Sequence, residues 1–129
     1  MPGVTSPPLR AGVSRLDRYV ILEHDHPVRH WDLMLEEGGR LRTWRLACVP
    51  EAGLVMRAAP CFDHRRAYLD YEGPISGDRG QVVRWDWGVF TWLENQSGRV
   101  EVHLQGERCV GRAVLVRESD EAWSFTLRS

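Results

Sequence analysis

Lysine is missing from this chain: all 17 basic residues are arginine. Arginine is the better bidentate ligand for phosphate, but GC-biased codon usage would produce the same composition and is the plainer explanation. The formal net charge is −1, which excludes a protein that grips nucleic acid by bulk charge alone. Cysteine is scarce: Cys48, Cys61 and Cys109 are odd in number and form no CxxC pair. They read as free thiols in a reducing cytoplasm, not as a disulfide framework. No apolar run approaches the ~18 residues needed to span a bilayer, so no membrane partner is expected. No window sustains a helical period. Met1 to Val13 carries prolines and glycines without an apolar stretch, so it is not read as a secretory signal. The expectation is a flexible leader over 1–15 and one domain over 16–129.

What is present is alternation. Tyr19 to Leu22 is a short apolar run suited to a buried strand. His30 to Glu36 alternates, and Gly38-Gly39 before Leu41 to Cys48 is a strong hairpin signal. A loop is expected near Pro50 to Gly53, and a short aromatic strand over Ala67 to Glu72. Further strands are expected over Gln81–Trp87 and Val89–Leu93, on either side of Gly88, then from Val100 to Leu104, Cys109 to Arg117 and Trp123 to Leu127. Many short strands with turn signals between them predict an all-β protein, an antiparallel barrel or sandwich. Six tryptophans suit a compact interior, although some could stack on bases.

The chemistry concentrates in Glu23 to Glu36. Residues two apart on a strand share a face, so His30, Asp32 and Met34 point one way, and Trp31, Leu33 and Leu35 point toward the core. With His24 on the preceding turn, His24, His30 and Asp32 form a plausible three-ligand metal site. His26 and His103 read as solvated structural side chains. A second cluster runs from Phe62 to Gly73 and contains His64 and Tyr68, which can donate to a phosphate oxygen or shuttle a proton. Alone, that stretch would be a polar loop followed by an aromatic strand.

Together the two clusters resemble the 3'-phosphoesterase domain of bacterial DNA ligase D, an end-healing module of double-strand break repair (non-homologous end joining). The motifs are Glu23-His24-Asp25, His30-Trp31-Asp32, Leu35-Glu36, the hairpin, Leu41-Arg42-Thr43-Trp44, Asp63-His64 with Tyr68, and Asp70-Tyr71-Glu72-Gly73. Trp85-Asp86 with Gly88, then Leu104, Gly106, Arg108 and Gly111 with Leu115-Val116-Arg117, continue the likeness. The resemblance covers about Tyr19 to the C-terminus. It implies a small closed antiparallel β-barrel with short connecting loops. The implied activity is manganese-dependent, removing a 3'-terminal ribonucleoside and a 3'-phosphate from DNA or RNA-tipped DNA ends. His24, His30 and Asp32 would hold Mn2+ or another divalent transition metal. His64 and Tyr68 would contact the phosphate.

Two departures bear on activity. The family has an arginine two residues after the metal-binding aspartate, where this chain has Met34, and a lysine where it has Cys48. Hairpin geometry suggests a replacement. If Gly38-Gly39 is a two-residue turn, Met34 faces Thr43 and Asp32 faces Arg45, with β-carbons ~4.5–5.5 Å apart. Arg45 would then bring a guanidinium back to the same site. Alternatively it only pairs with Asp32, or a longer turn shifts the register. Arg57 is a second candidate for that role. The expected function is a stand-alone cytoplasmic 3'-phosphoesterase, with DNA ligase or polymerase repair proteins as candidate partners. The alternative is a non-catalytic relative that binds nucleic-acid ends or a repair partner.

Overall fold

The computed structural model describes residues 17–129; the leader expected over 1–15 lies outside them. The chain forms β1 (Asp17–His24), β2 (His30–Glu37), β3 (Arg40–Leu46), β4 (Val55–Arg65), a 3-10 turn (Arg66–Leu69), β5 (Gly73–Pro74), β6 (Gln81–Gln96), β7 (Arg99–Gly106), β8 (Val110–Ser119) and β9 (Ala122–Arg128). The sheet runs β1-β2-β3-β4-β9-β8-β7-β6-β5, and β1 also pairs with β6. Those pairings are antiparallel, so eight strands close into the expected barrel and β5 adds a two-residue strand beside β6.

Closure works because inward positions alternate on every strand. Ile21, Leu33, Trp44, Phe90, Leu104 and Phe125 contribute to one buried interior cluster. At one end of it lies Asp86, 0% exposed. The Tyr19 hydroxyl donates to its Oδ2 at 2.5 Å, and the amides of Arg108 and Cys109 donate to Oδ1 and Oδ2 at 2.7 and 3.2 Å. The carboxylate thereby ties β1 and β6 to the turn that ends β7. Burial with this carboxylate raises the Tyr19 pKa, and burial pushes the Cys109 thiol up to about 12.

A second cluster lies on the outer wall. Val20, Leu22, Met34, Leu41, Leu69 and Val82 pack there beneath Tyr68, Tyr71 and Ile75. The wall around β1 and β2 is therefore buried on both faces, which accounts for the unbroken apolar run from Tyr19 to Leu22.

Three strand expectations need correction. The stretch expected as a strand over Ala67–Glu72 begins instead in the 3-10 turn, and its aromatics lie over the outer cluster. The strand there is Val55–Arg65, hidden in the sequence because only Met56 and Ala58 of its eleven residues are buried and Pro60 interrupts it. Gly88 does not divide two strands: β6 is continuous over sixteen residues. A Cβ at Gly88 would lie 2.2 Å from the Gln105 carbonyl oxygen, so this glycine permits close approach of β7 and not a turn. At the β2–β3 hairpin, Gly38 and Gly39 take φ of 61° and 84°, as a two-residue type I′ turn requires. Asp32 pairs with Arg45 and Met34 with Thr43, the expected register.

Candidate metal centre

His24 ends β1 and His30 begins β2, and they pair directly across the ladder. The five residues between these strands turn the chain so that both imidazoles reach the outer wall beside Asp32. Candidate ligand atoms of His24, His30 and Asp32 lie within 4.8 Å of one another. His24 Nδ1 is 3.9 Å and His30 Nε2 is 3.2 Å from Asp32 Oδ2.

The second nitrogen of each ring determines what the first can do. His24 Nε2 lies 2.8 Å from the Arg79 carbonyl oxygen, and His30 Nδ1 lies 2.7 Å from that of Val28. A carbonyl only accepts, so each of these nitrogens carries the proton. A neutral imidazole then turns its lone pair toward Asp32. Asp32 is 5% exposed, and its Oδ1 has no hydrogen-bond partner among the described residues. Two imidazole nitrogens converging on a buried carboxylate with one unpartnered oxygen form an arrangement that a cation would stabilise. Backbone carbonyls orienting the far nitrogens are the usual support of histidine ligands. The residues thus fit a divalent transition metal held by two histidines and one carboxylate with positions left open.

His24 and Asp32 open onto a cleft of about 350 Å³ that Arg45, His64 and Tyr68 also line. Arg45 Nε stands 3.7 Å from Asp32 Oδ1, on the outer face as the register required, in ion-pair range but not hydrogen-bonded. Met34 lines the same cleft at 1% exposure, sealed into the outer cluster. The Thr43 hydroxyl donates to the Leu41 carbonyl at 3.0 Å, and so accepts from His64 Nδ1, also at 3.0 Å. That leaves His64 Nε2 free. Phe62 stacks on the His64 ring at 4.8 Å and Tyr68 meets it edge-on at 5.4 Å. Burial lowers the His64 pKa below its usual 6.5, partly opposed by the Asp32 charge.

Two placements differ from expectation. Arg57 is outside this cleft and lines an adjoining cavity with His30 and Arg45. His26, read as solvated, is half-buried and lines the cleft. Thr43 and Phe62 also belong to the site through His64, and both are within reach of the pattern. Thr43 lies two residues from Arg45, and Phe62 two from His64.

A closed β-barrel with a two-histidine, one-carboxylate centre on its outer wall is thus the class the fold and site define. The model of the DNA Ligase D 3'-phosphoesterase domain matches residues 22–117, and the chain belongs to that family, one concerned with processing ends in DNA repair. Similar proteins include the multifunctional non-homologous end joining protein LigD of Pseudomonas aeruginosa, 32% identical over 78% of this chain and 13% of that protein. The LigD proteins of Mycobacterium bovis and Mycolicibacterium smegmatis are 33% and 31% identical, over 81% and 83% of this chain and 15% and 16% of theirs. The chain therefore spans only a small part of these relatives.

Proposed function

We propose that this chain is a metal-dependent 3'-phosphoesterase that removes a terminal ribonucleoside or phosphate from DNA or RNA-tipped DNA 3' ends. The observation behind this reading is the convergence of His24, His30 and Asp32, with an unsatisfied carboxylate oxygen, in one cleft with His64 and Arg45. Manganese, or a similar divalent ion on these three residues, would neutralise phosphate charge and polarise the phosphorus–oxygen bond.

The chain's own groups supply the rest. Arg45 offers a charge-assisted contact to a phosphate oxygen, replacing the arginine that Met34 displaces. His64, held by Thr43 through Nδ1, presents Nε2 to the phosphate and donates to it when protonated, and the Tyr68 hydroxyl can donate beside it. DNA ligase or polymerase repair proteins are the partners this role would bring, and the cytoplasm its location. Among the described residues no helix is long and apolar enough to cross a membrane.

The test is a 5'-labelled duplex ending in one 3'-ribonucleotide, incubated with manganese and the protein. Shortening by one nucleoside, followed by loss of the exposed phosphate and absent in His30→Ala, is expected. If neither step occurs at high protein concentration, the second reading holds: a non-catalytic binder of nucleic-acid ends. The burial of Met34 at the arginine position favours that alternative.

A further inference from the structure

The candidate metal centre stands between two cavities. His24 and Asp32 line the cleft described above. His30 instead lines a neighbouring cavity of about 440 Å³. Arg45 and Pro27 line both and form the partition. A group bound at the three ligands therefore has a space on either side.

The two spaces differ in chemistry. On the His64 side, Arg65 and Arg79 border the cleft, which suits a chain of phosphates leading away from the metal. On the His30 side much of the wall is apolar and small, with Val28, Ala47, Ala59, Ala122 and Trp123 among them, and its charged groups are Arg29, Arg45, Arg57 and Glu121. The space exists because alanines on β3's end, β4 and β9 project so little. Apolar walls with a few polar groups, enclosing roughly 300–1,000 Å³, are typical of small-molecule sites. An aromatic base with its sugar buries apolar surface against these walls, and the arginines and Glu121 can meet its carbonyls and hydroxyls.

We infer that the His30-side cavity receives the terminal nucleoside of the 3' end, the part that leaves, while the strand it leaves lies along the His64 side. This rests on the phosphoesterase reading and adds to it a directional site: a phosphodiester end fills both cavities, and a phosphomonoester end fills only one. Arg57, which lines only the nucleoside cavity of the two, then contacts the base or sugar and is not the replacement for the arginine missing at Met34.

Filling the cavity tests this. Ala47 and Ala59 are exposed, so the double variant Ala47→Leu, Ala59→Leu should fold. Two 5'-labelled duplexes are compared with manganese, identical except for a 3'-ribonucleoside or a 3'-phosphate terminus. The variant should lose tenfold or more in kcat/KM on the ribonucleoside end and stay within twofold on the phosphate end. Equal loss on both, or loss on neither, overturns the inference.

A binding measurement independent of turnover uses metal-free protein and a duplex with 2-aminopurine riboside at the 3' terminus. Its emission should change on binding wild type and not on binding the variant, while anisotropy of a 5' dye reports that the duplex is bound in both. A bound end with unchanged 2-aminopurine emission in wild type overturns the nucleoside site alone. Failure to bind or cleave either end overturns the phosphoesterase reading and the nucleoside site with it.

Discussion

Two aspartates are buried in this barrel, and their surroundings are opposite. Asp86 lies at the interior with both oxygens taken, by the Tyr19 hydroxyl and the amides of Arg108 and Cys109. Asp32 lies on the outer wall with Oδ1 unpartnered and Oδ2 facing two imidazoles. A buried carboxylate is costly unless hydrogen-bonded or paired. Asp86 meets that condition with donors from its own fold and acts as a structural tie. Asp32 meets it only in part, through His30 Nε2 at 3.2 Å from Oδ2 and Arg45 Nε at 3.7 Å from Oδ1, and a bound cation would complete it. The same residue type, nearly equally inaccessible, is fully hydrogen-bonded in one place and only partly satisfied in the other, and the difference lies in the donors.

The comparison can be broken by exchanging what each carboxylate does. Asp86→Ala strands one hydroxyl and two amide donors inside the barrel, and should cost about 3–5 kcal/mol of unfolding free energy in a urea titration, with or without metal. Asp32→Ala removes an unsatisfied charge, so metal-free stability should hold or rise. Metal-dependent stabilisation should vanish: wild type should gain about 2.7 kcal/mol at a manganese concentration 100 times Kd, and the variant nothing, as read by thermal melts. If Asp32→Ala destabilises the metal-free protein as much as Asp86→Ala does, the contrast is wrong.

Smaller effects sharpen the outer site. Arg45→Ala should lower kcat/KM on either 3' end by a factor corresponding to roughly 1.5–3 kcal/mol, the range for a hydrogen bond to a charged group. Met34→Arg, the obvious restoration of the family residue, buries a guanidinium in the outer cluster, and should lower stability without raising turnover above wild type. The smallest effect concerns pH. Burial holds the His64 pKa below 6.5, so the free imidazole is neutral at pH 7. If His64 acts as a proton donor, kcat/KM falls as pH rises through that lowered value. Phe62→Ala admits water to the ring, raises the pKa toward 6.5 and should move the fall to higher pH. An unmoved profile would separate His64 from the proton transfer.

Strand alternation and turn chemistry were sufficient to anticipate that His24, His30 and Asp32 come together and to set the β2–β3 register, because both are local. A side chain's face follows from its parity along a strand, and two glycines at positive φ allow one hairpin geometry. From these alone, His30 and Asp32 share a face and Arg45 stands opposite Asp32. Local pattern failed where burial comes from distant chain. β4 carries too few apolar residues to announce itself, since its pairing with β3 and β9 holds it in the sheet. The aromatic stretch after His64 resembled a strand because Tyr68 and Leu69 are apolar enough to pack, yet Leu69 is buried and Tyr68 half-buried by lying over another element.

The amino-acid sequence by itself determined an all-β chain, the three candidate ligands, the place of Arg45 and the family. Tertiary structure alone decided that Met34 is sealed beneath the 3-10 turn, that Arg57 faces a different cavity from His64, and that the candidate metal centre stands between two cavities. The physical reason is range: parity and turn geometry act over a few residues, whereas burial and cavity shape arise only when barrel closure brings distant strands together.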